Sequence, residues 1–186
     1  MKKMMVVTAC LVVSIAIMLT VSSAFTKDKT GSYAEDRAQI EDLQARYLFA
    51  LDFFDLDTYV STFTEDGVLD IVEYQVKGRD AIRKAIEDSR TVFDHSGSNV
   101  PEGLYPATGR HNITNIVIKV DGDKAYGRAY WFHYSNDNPE RKAVFDGYGH
   151  YEDEMVKVKG QWLFSKRVIY NEGVKTWIGP TKNPAW

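Results

Sequence analysis

The sequence predicts an α+β domain, with helices gathered on one side of an antiparallel sheet. Three observations carry that reading. Helical periodicity is confined to the stretch before residue 90, β-rich runs fill 108–170, and Asp121-Gly122-Asp123 and Lys159-Gly160 join neighbouring runs as tight turns.

The chain opens with Lys2 and Lys3, continues through an uncharged apolar run over 4–21 and reaches Ser22-Ser23-Ala24. That is the pattern of a secretory signal peptide, so cleavage is expected after Ala24 and the protein is expected in the periplasm or secreted. The run is also just long enough to cross a bilayer, which leaves an anchor through residues 4–21 as the alternative. Without residues 1–24, 162 residues remain, enough for one domain with a substantial core. Residues 25–31 read as a linker, 32–171 as the domain and 172–186 as an irregular tail.

Ser32-Tyr33-Ala34-Glu35 has the capping-box spacing, and the first helix is expected from there to about Phe54. Ile40, Leu43, Tyr47, Leu51 and Phe54 form its apolar face, with Arg37, Glu41, Gln44 and Arg46 on the wet side. From Tyr47 onward Leu48, Phe49, Ala50 and Phe53 fill the wet side too, so the last turns are expected to be covered all round. Residues 57–63 read as a second helix, Thr64-Glu65-Asp66-Gly67 as a turn and 68–76 as a strand. Gly78-Arg79-Asp80 opens a third helix with Ile82, Ala85 and Ile86 inward, and 90–106 reads as a loop or lid. Strands are expected over 108–120, 124–135, 143–158 and 161–170, the last with Trp162, Phe164 and Val168 on one face.

Acidic residues outnumber basic ones by 26 to 23, and no basic patch is dense enough to track phosphates, which excludes a nucleic-acid partner. The single cysteine, Cys10, leaves with the leader, so the mature chain holds no disulfide and no thiolate.

Asp52 is the one carboxylate inside the apolar end of the first helix. A buried acid needs a partner, which makes Asp52 the first candidate for chemistry; the plain alternative is a cap on the following helix. If Gly122 centres a three-residue turn, His111 lies as far before it as His133 lies after it. The two then sit opposite each other, on the face of Ala125, Gly127, Ala129 and Trp131. A carboxylate fixes an imidazole in one tautomer, and the imidazole moves a proton at neutral pH. Two histidines and a carboxylate could also hold a metal. Neither a close-spaced histidine motif on a helix nor a mature cysteine accompanies them, so no metal and no cofactor are expected. Tyr151 is read as inward and His150 as surface. Tyr126, Arg128, Tyr130, Phe132 and Tyr134 form an outer aromatic stripe suited to a homo-oligomer.

The segments Tyr47-x4-Asp52, FTEDGVLDI, KGRDAI, GRHNITNIVIKVDGDKAYGRAYW and GHYEDEMVKVKGQWLFSKR together resemble a SnoaL-like domain of the nuclear transport factor 2-like superfamily over 32–171. The resemblance implies a cone-shaped α+β barrel, a strongly curved antiparallel sheet wrapped around the N-terminal helices. Asp52, His111 and His133 fall where scytalone dehydratase carries its catalytic aspartate and two histidines. Asp52 and His111 also match the dyad of hexachlorocyclohexane dehydrochlorinase, and Tyr47 with Asp52 resembles the spacing in bile acid 7α-dehydratase. Leu51 stands where scytalone dehydratase has a tyrosine. Gly149 and Tyr151 replace its substrate-binding serine and asparagine, so a different substrate is implied.

The expectation is therefore an exported, cofactor-free lyase or isomerase, dehydratase-like, acting on a small hydrophobic cyclic molecule. Asp52 would orient His111 for proton abstraction, His133 or Tyr47 would donate a proton, and Trp131, Phe145 and Tyr151 would line the pocket. The alternative is a non-catalytic periplasmic small-ligand-binding protein of the same fold. No membrane partner is expected after cleavage.

Overall fold

A computed structural model describes residues 32–71, 74–93, 109–136, 138, 140, 142–175 and 182–186. The leader, the linker, most of the 90–106 loop and positions 176–181 of the tail lie outside the described residues. Helix α1 (Tyr33–Asp52) starts at its cap, where Ser32 Oγ accepts the Glu35 N–H at 3.3 Å. It ends with two backbone bonds that close its last turn, Asp55 N–H to Ala50 O at 2.9 Å and Phe54 N–H to Leu51 O at 3.2 Å. This closure places a left-handed residue just beyond the C-cap Phe53, and Phe54 takes it with φ +57°. In a residue other than glycine this costs about 1–2 kcal/mol. The turn stops the helix directly after Asp52. Among the described residues no helix is long and apolar enough to cross a membrane.

The short helix α2 (Leu56–Ser61) is capped by Asp55 rather than Asp52, with Asp55 Oδ1 accepting the Thr58 N–H at 3.0 Å. Hydrogen bonding to Thr58 holds the Asp55 carboxyl below its ordinary range. Asp55→Ala is expected to lower stability by about 0.5–2 kcal/mol at neutral pH. A depressed carboxylate stabilises above its unfolded-state pKa and loses that contribution as pH falls through the folded one. The gap between variant and wild type should therefore close in acid, which urea unfolding at neutral and low pH would show.

Strands β1 (Phe63–Asp70) and β2 (Gln75–Lys77) form a hairpin, and α3 (Arg79–Phe93) follows with Ile82 and Ile86 in the core. Residues 64–67, expected as a turn, belong to β1 instead. Phe63 pairs with Phe164 and Val68 with Lys166, so these four residues bulge opposite Ser165 alone. The expected strand over 68–76 is broken by the hairpin between Asp70 and Gln75. Strands β3 (Gly109–Asp121), β4 (Lys124–Ser135), β5 (Val144–Val158) and β6 (Gln161–Asn171) complete a curved, unclosed sheet of order β2-β1-β6-β5-β4-β3. Only β1 and β6 run parallel. Lys159 and Gly160, at φ +50° and +84°, form the β5–β6 turn, as a two-residue hairpin requires.

Three bulges decide which side chains face inward, since one extra residue moves every later side chain to the other face. In β3, Asn115 and Ile116 together oppose Ala129. In β5, Asp146 is the extra residue between Phe145, paired with Tyr134, and Gly147, paired with His133. In β6, Ser165 is extra between Phe164 and Lys166. Trp162 and Phe164 are buried as expected, but beyond Ser165 it is Arg167 that is fully buried, and Val168 takes the other face.

Arg167 meets Asp153 in the core, and both side chains are 0% exposed. The guanidinium donates twice, Nε to Oδ1 and Nη2 to Oδ2, each at 2.8 Å. It lies 4.0 Å from the Phe164 ring centre and 4.2 Å from those of Tyr47 and Tyr151. Burial opposes its charge, but the Asp153 carboxylate outweighs burial and raises the Arg167 pKa further. Gln44, read as part of the wet side, is fully buried and donates to Asp153 at 3.4 Å. The end of α1 is not covered all round either. Phe49 and Phe53 are 67% and 59% exposed and stack on each other, with Arg110 of β3 over Phe53.

Candidate functional site

Asp52 sits in the last turn of α1, where the helix dipole is unfavourable for a carboxylate. Two hydrogen bonds from one residue offset this. The His111 backbone N–H reaches Asp52 Oδ2 at 2.9 Å, and His111 Nδ1 lies 2.6 Å from Oδ1. The amide is free for this because β3 is an edge strand and His111 points its N–H away from β4. The Asp52 side chain is 6% exposed and that of His111 20%.

His111 does pair with His133, though not by the expected route. The turn has two residues, with Asp121 opposite Lys124, which alone would shift the register. The Asn115–Ile116 bulge shifts it back by one, and Asn115 adopts φ +53° to make it. Because the His111 amide serves Asp52, the two histidines form a non-hydrogen-bonded pair, the closer kind. Their ring centres are 4.4 Å apart.

Asp146 is not among the expected site residues, although Asp146-Gly147 within a strand run is a bulge signal. Its carboxylate is carried inward by the β5 bulge and lies 2.6 Å from His133 Nδ1. An ionised carboxylate only accepts, so at both histidines Nδ1 carries a proton and Nε2 is the nitrogen left to take or give one. Gly109 lies under the second ring: a Cβ there would stand 2.1 Å from His133 Nε2. The same Cβ would stand 2.5 Å from Tyr134 O, so Gly109→Ala is expected to shift both the His133 ring and the β3–β4 backbone and to cost about 1–3 kcal/mol or more in overpacking, visible as a lower melting temperature and a shifted His133 imidazole resonance.

Trp131 and Tyr151 are buried beside the histidines, with ring centres 6.1 Å apart and Trp131 6.0 Å from His111. The Trp131 indole crosses Gly149 to donate to Tyr170 O at 3.0 Å, and a Cβ at 149 would collide with that carbonyl at 1.9 Å. A serine has no room at this position. Burial raises the Tyr151 hydroxyl pKa well above its usual value, as it does that of Tyr59. Tyr47 belongs to the cage around Arg167. It is fully buried, accepts from the Tyr59 hydroxyl at 2.8 Å, and its own pKa is raised by burial.

Two expectations are corrected. Phe145 does not reach the histidine pair, because the Asp146 bulge leaves it on the outer face, 52% exposed, against Tyr134 and Tyr148. There it borders a groove of about 590 Å³ shared with Tyr130, Phe132 and Pro184. His150 is on the outer face but is not surface. It is 5% exposed, stacked on Tyr170 and bonded through Nδ1 to Glu172 at 2.8 Å. Among the described residues, no three His, Cys, Asp or Glu side chains gather as a metal site.

No curated protein matches the chain in sequence. Among solved structures, the chain is similar to a function-unknown protein with a cystatin-like fold from Nostoc punctiforme, at 24% identity and TM-score 0.63 over 75% of this chain and 92% of that one. A variant of a function-unknown protein from Mycobacterium tuberculosis is 26% identical, with TM-score 0.62 over 80% of each chain. A candidate scytalone dehydratase from Novosphingobium aromaticivorans is 25% identical, with TM-score 0.59 over 74% of this chain and 85% of that one. The family model for the SnoaL-like domain matches residues 32–168, and the chain belongs to that family, within the nuclear transport factor 2-like superfamily.

Proposed function

We propose that the protein is an exported, cofactor-free lyase or isomerase acting on a small hydrophobic cyclic molecule. The observation that carries this is the double grip of Asp52 on His111, which leaves Nε2 as a sheltered base beside a second imidazole. His111 takes a proton from carbon next to an electron-withdrawing group, and Asp52 stabilises the imidazolium that forms. His133 rather than Tyr47 gives a proton to the leaving oxygen, since Tyr47 is fully buried and engaged with Tyr59. Trp131 and Tyr151 bound the substrate ring. The likeness to a candidate scytalone dehydratase supports dehydration as the reaction type.

The test is deuterium exchange. The protein is incubated in D₂O with a panel of hydroxylated cyclic ketones, and loss of the signal of the proton next to the carbonyl is followed by NMR. Exchange that His111→Gln abolishes supports the reading. Binding of panel members without any exchange would replace it with the ligand-binding alternative. Export predicts a mature N-terminus at Phe25; N-terminal sequencing that finds Met1 on membrane-bound protein would replace cleavage with an anchor.

A further inference from the structure

We infer that Asp146 is a second positioning carboxylate, holding His133 as Asp52 holds His111, so that the site carries two separately aimed imidazoles. The inference rests on the acid–base reading above, but its geometry is independent of Asp52. His133 Nδ1 lies 2.6 Å from Asp146 Oδ1, the same distance as in the first pair. The β5 bulge exists at this one residue: Phe145 pairs with Tyr134, Gly147 with His133, and Asp146 has no partner across the strand. In an unbulged strand, alternation from Gly147 would turn residue 146 outward and 145 inward. The bulge exchanges an inward phenylalanine for an inward carboxylate. Gly109 clears the space the His133 ring occupies.

The two pairs differ in their access to water. The Asp146 side chain is 38% exposed and that of Asp52 6%. The sheltered pair suits the base, whose conjugate acid must not be neutralised by solvent during the reaction. The wetter pair suits the donor, which can be recharged from water between turnovers. In a dehydration, the C–H proton passes to His111 Nε2 and the C–H electrons form the new C=C bond. The C–O electrons leave on oxygen, which takes the Nε2 proton of a His133 that enters the step as the imidazolium, and the oxygen departs as water. His111 then loses a proton and His133 gains one, across the 4.4 Å contact or through water, so no proton is consumed overall. Asp146 keeps His133 Nδ1 protonated and Nε2 aimed throughout, and is not itself protonated.

The experiment uses the mature protein labelled with ¹⁵N-histidine, as wild type, Asp146→Asn, Asp146→Glu and Asp52→Asn. Wild type is expected to show Nδ1 protonated at both His111 and His133, with deshielded Nδ1 protons. Asp146→Asn should remove that signature from His133 alone, Asp146→Glu should restore part of it, and Asp52→Asn should act on His111 alone. With the substrate found by deuterium exchange, Asp146→Asn should lower kcat by about 10²-fold with little change in KM. An unchanged His133 signal in Asp146→Asn, or a His133 Nδ1 without its proton in wild type, would overturn the positioning role. The expected spectra in a protein that exchanges no substrate would overturn the acid–base reading instead and leave the positioning of His133 standing.

Discussion

Asp153→Ala is expected to destabilise the domain by about 3–5 kcal/mol, because it leaves the Arg167 guanidinium charged and uncompensated in the core. The site offers no escape to water, since Arg167 is 0% exposed and enclosed by Tyr47, Tyr151 and Phe164. The three ring faces attract the cation but replace neither carboxylate hydrogen bond. Deprotonation gives no relief, as an arginine in protein does not lose its proton. The ion pair as a whole need not stabilise the fold. Replacing both partners, as Asp153→Leu with Arg167→Met, should recover most of the loss, because the desolvation of both charges disappears together. Urea unfolding of the two variants, compared at equal m-values, separates these effects. A loss below about 1 kcal/mol in Asp153→Ala would mean that solvent reaches Arg167 and that the core is looser than its geometry.

Asp52→Asn is expected to lower turnover by about 10²–10⁴-fold while leaving the fold nearly as stable as wild type. The asparagine oxygen can still accept the His111 amide, so the link between α1 and β3 survives. What is lost is the negative charge beside Nδ1, which both fixes the tautomer and stabilises the imidazolium formed when Nε2 takes a proton. The loss should fall on kcat, since Asp52 is sheltered behind His111. Wild-type turnover in Asp52→Asn would remove Asp52 from the reaction and leave it as a clamp between helix and sheet.

The elements that carry their own local chemistry were legible in the sequence. Ser32 announced the start of α1, and Lys159-Gly160 the β5–β6 hairpin. The His111–His133 pair was legible for a partly wrong reason, a short turn and a bulge having cancelled each other. What escaped was everything beyond a bulge. Ser165 carries no mark of a slip, whereas Asp146-Gly147 does, since aspartate is depleted in strands and a glycine inside a strand pattern signals a bulge; simple alternation passes over it. Yet those slips put Asp146 rather than Phe145 beside His133, and Arg167 rather than Val168 in the core. His150 escaped for another reason: its burial depends on Tyr170 and Glu172, which stack on it and bond to it.

The grip of Asp52 on the His111 amide has a second side, because that amide lies on the free edge of the sheet. Two more bonds from α1 fall on the same edge: the Tyr33 hydroxyl donates to Ile118 O at 3.2 Å and Arg37 to Ile116 O at 3.3 Å. The first helix thus blocks β3 against strand addition, the usual route by which an open sheet recruits another chain into an aggregate. The opposite edge, β2, has three residues and offers little to pair with. A variant that removes the Asp52 side chain altogether, unlike asparagine, would unblock the edge at His111 and confound a loss of activity with a gain in self-assembly.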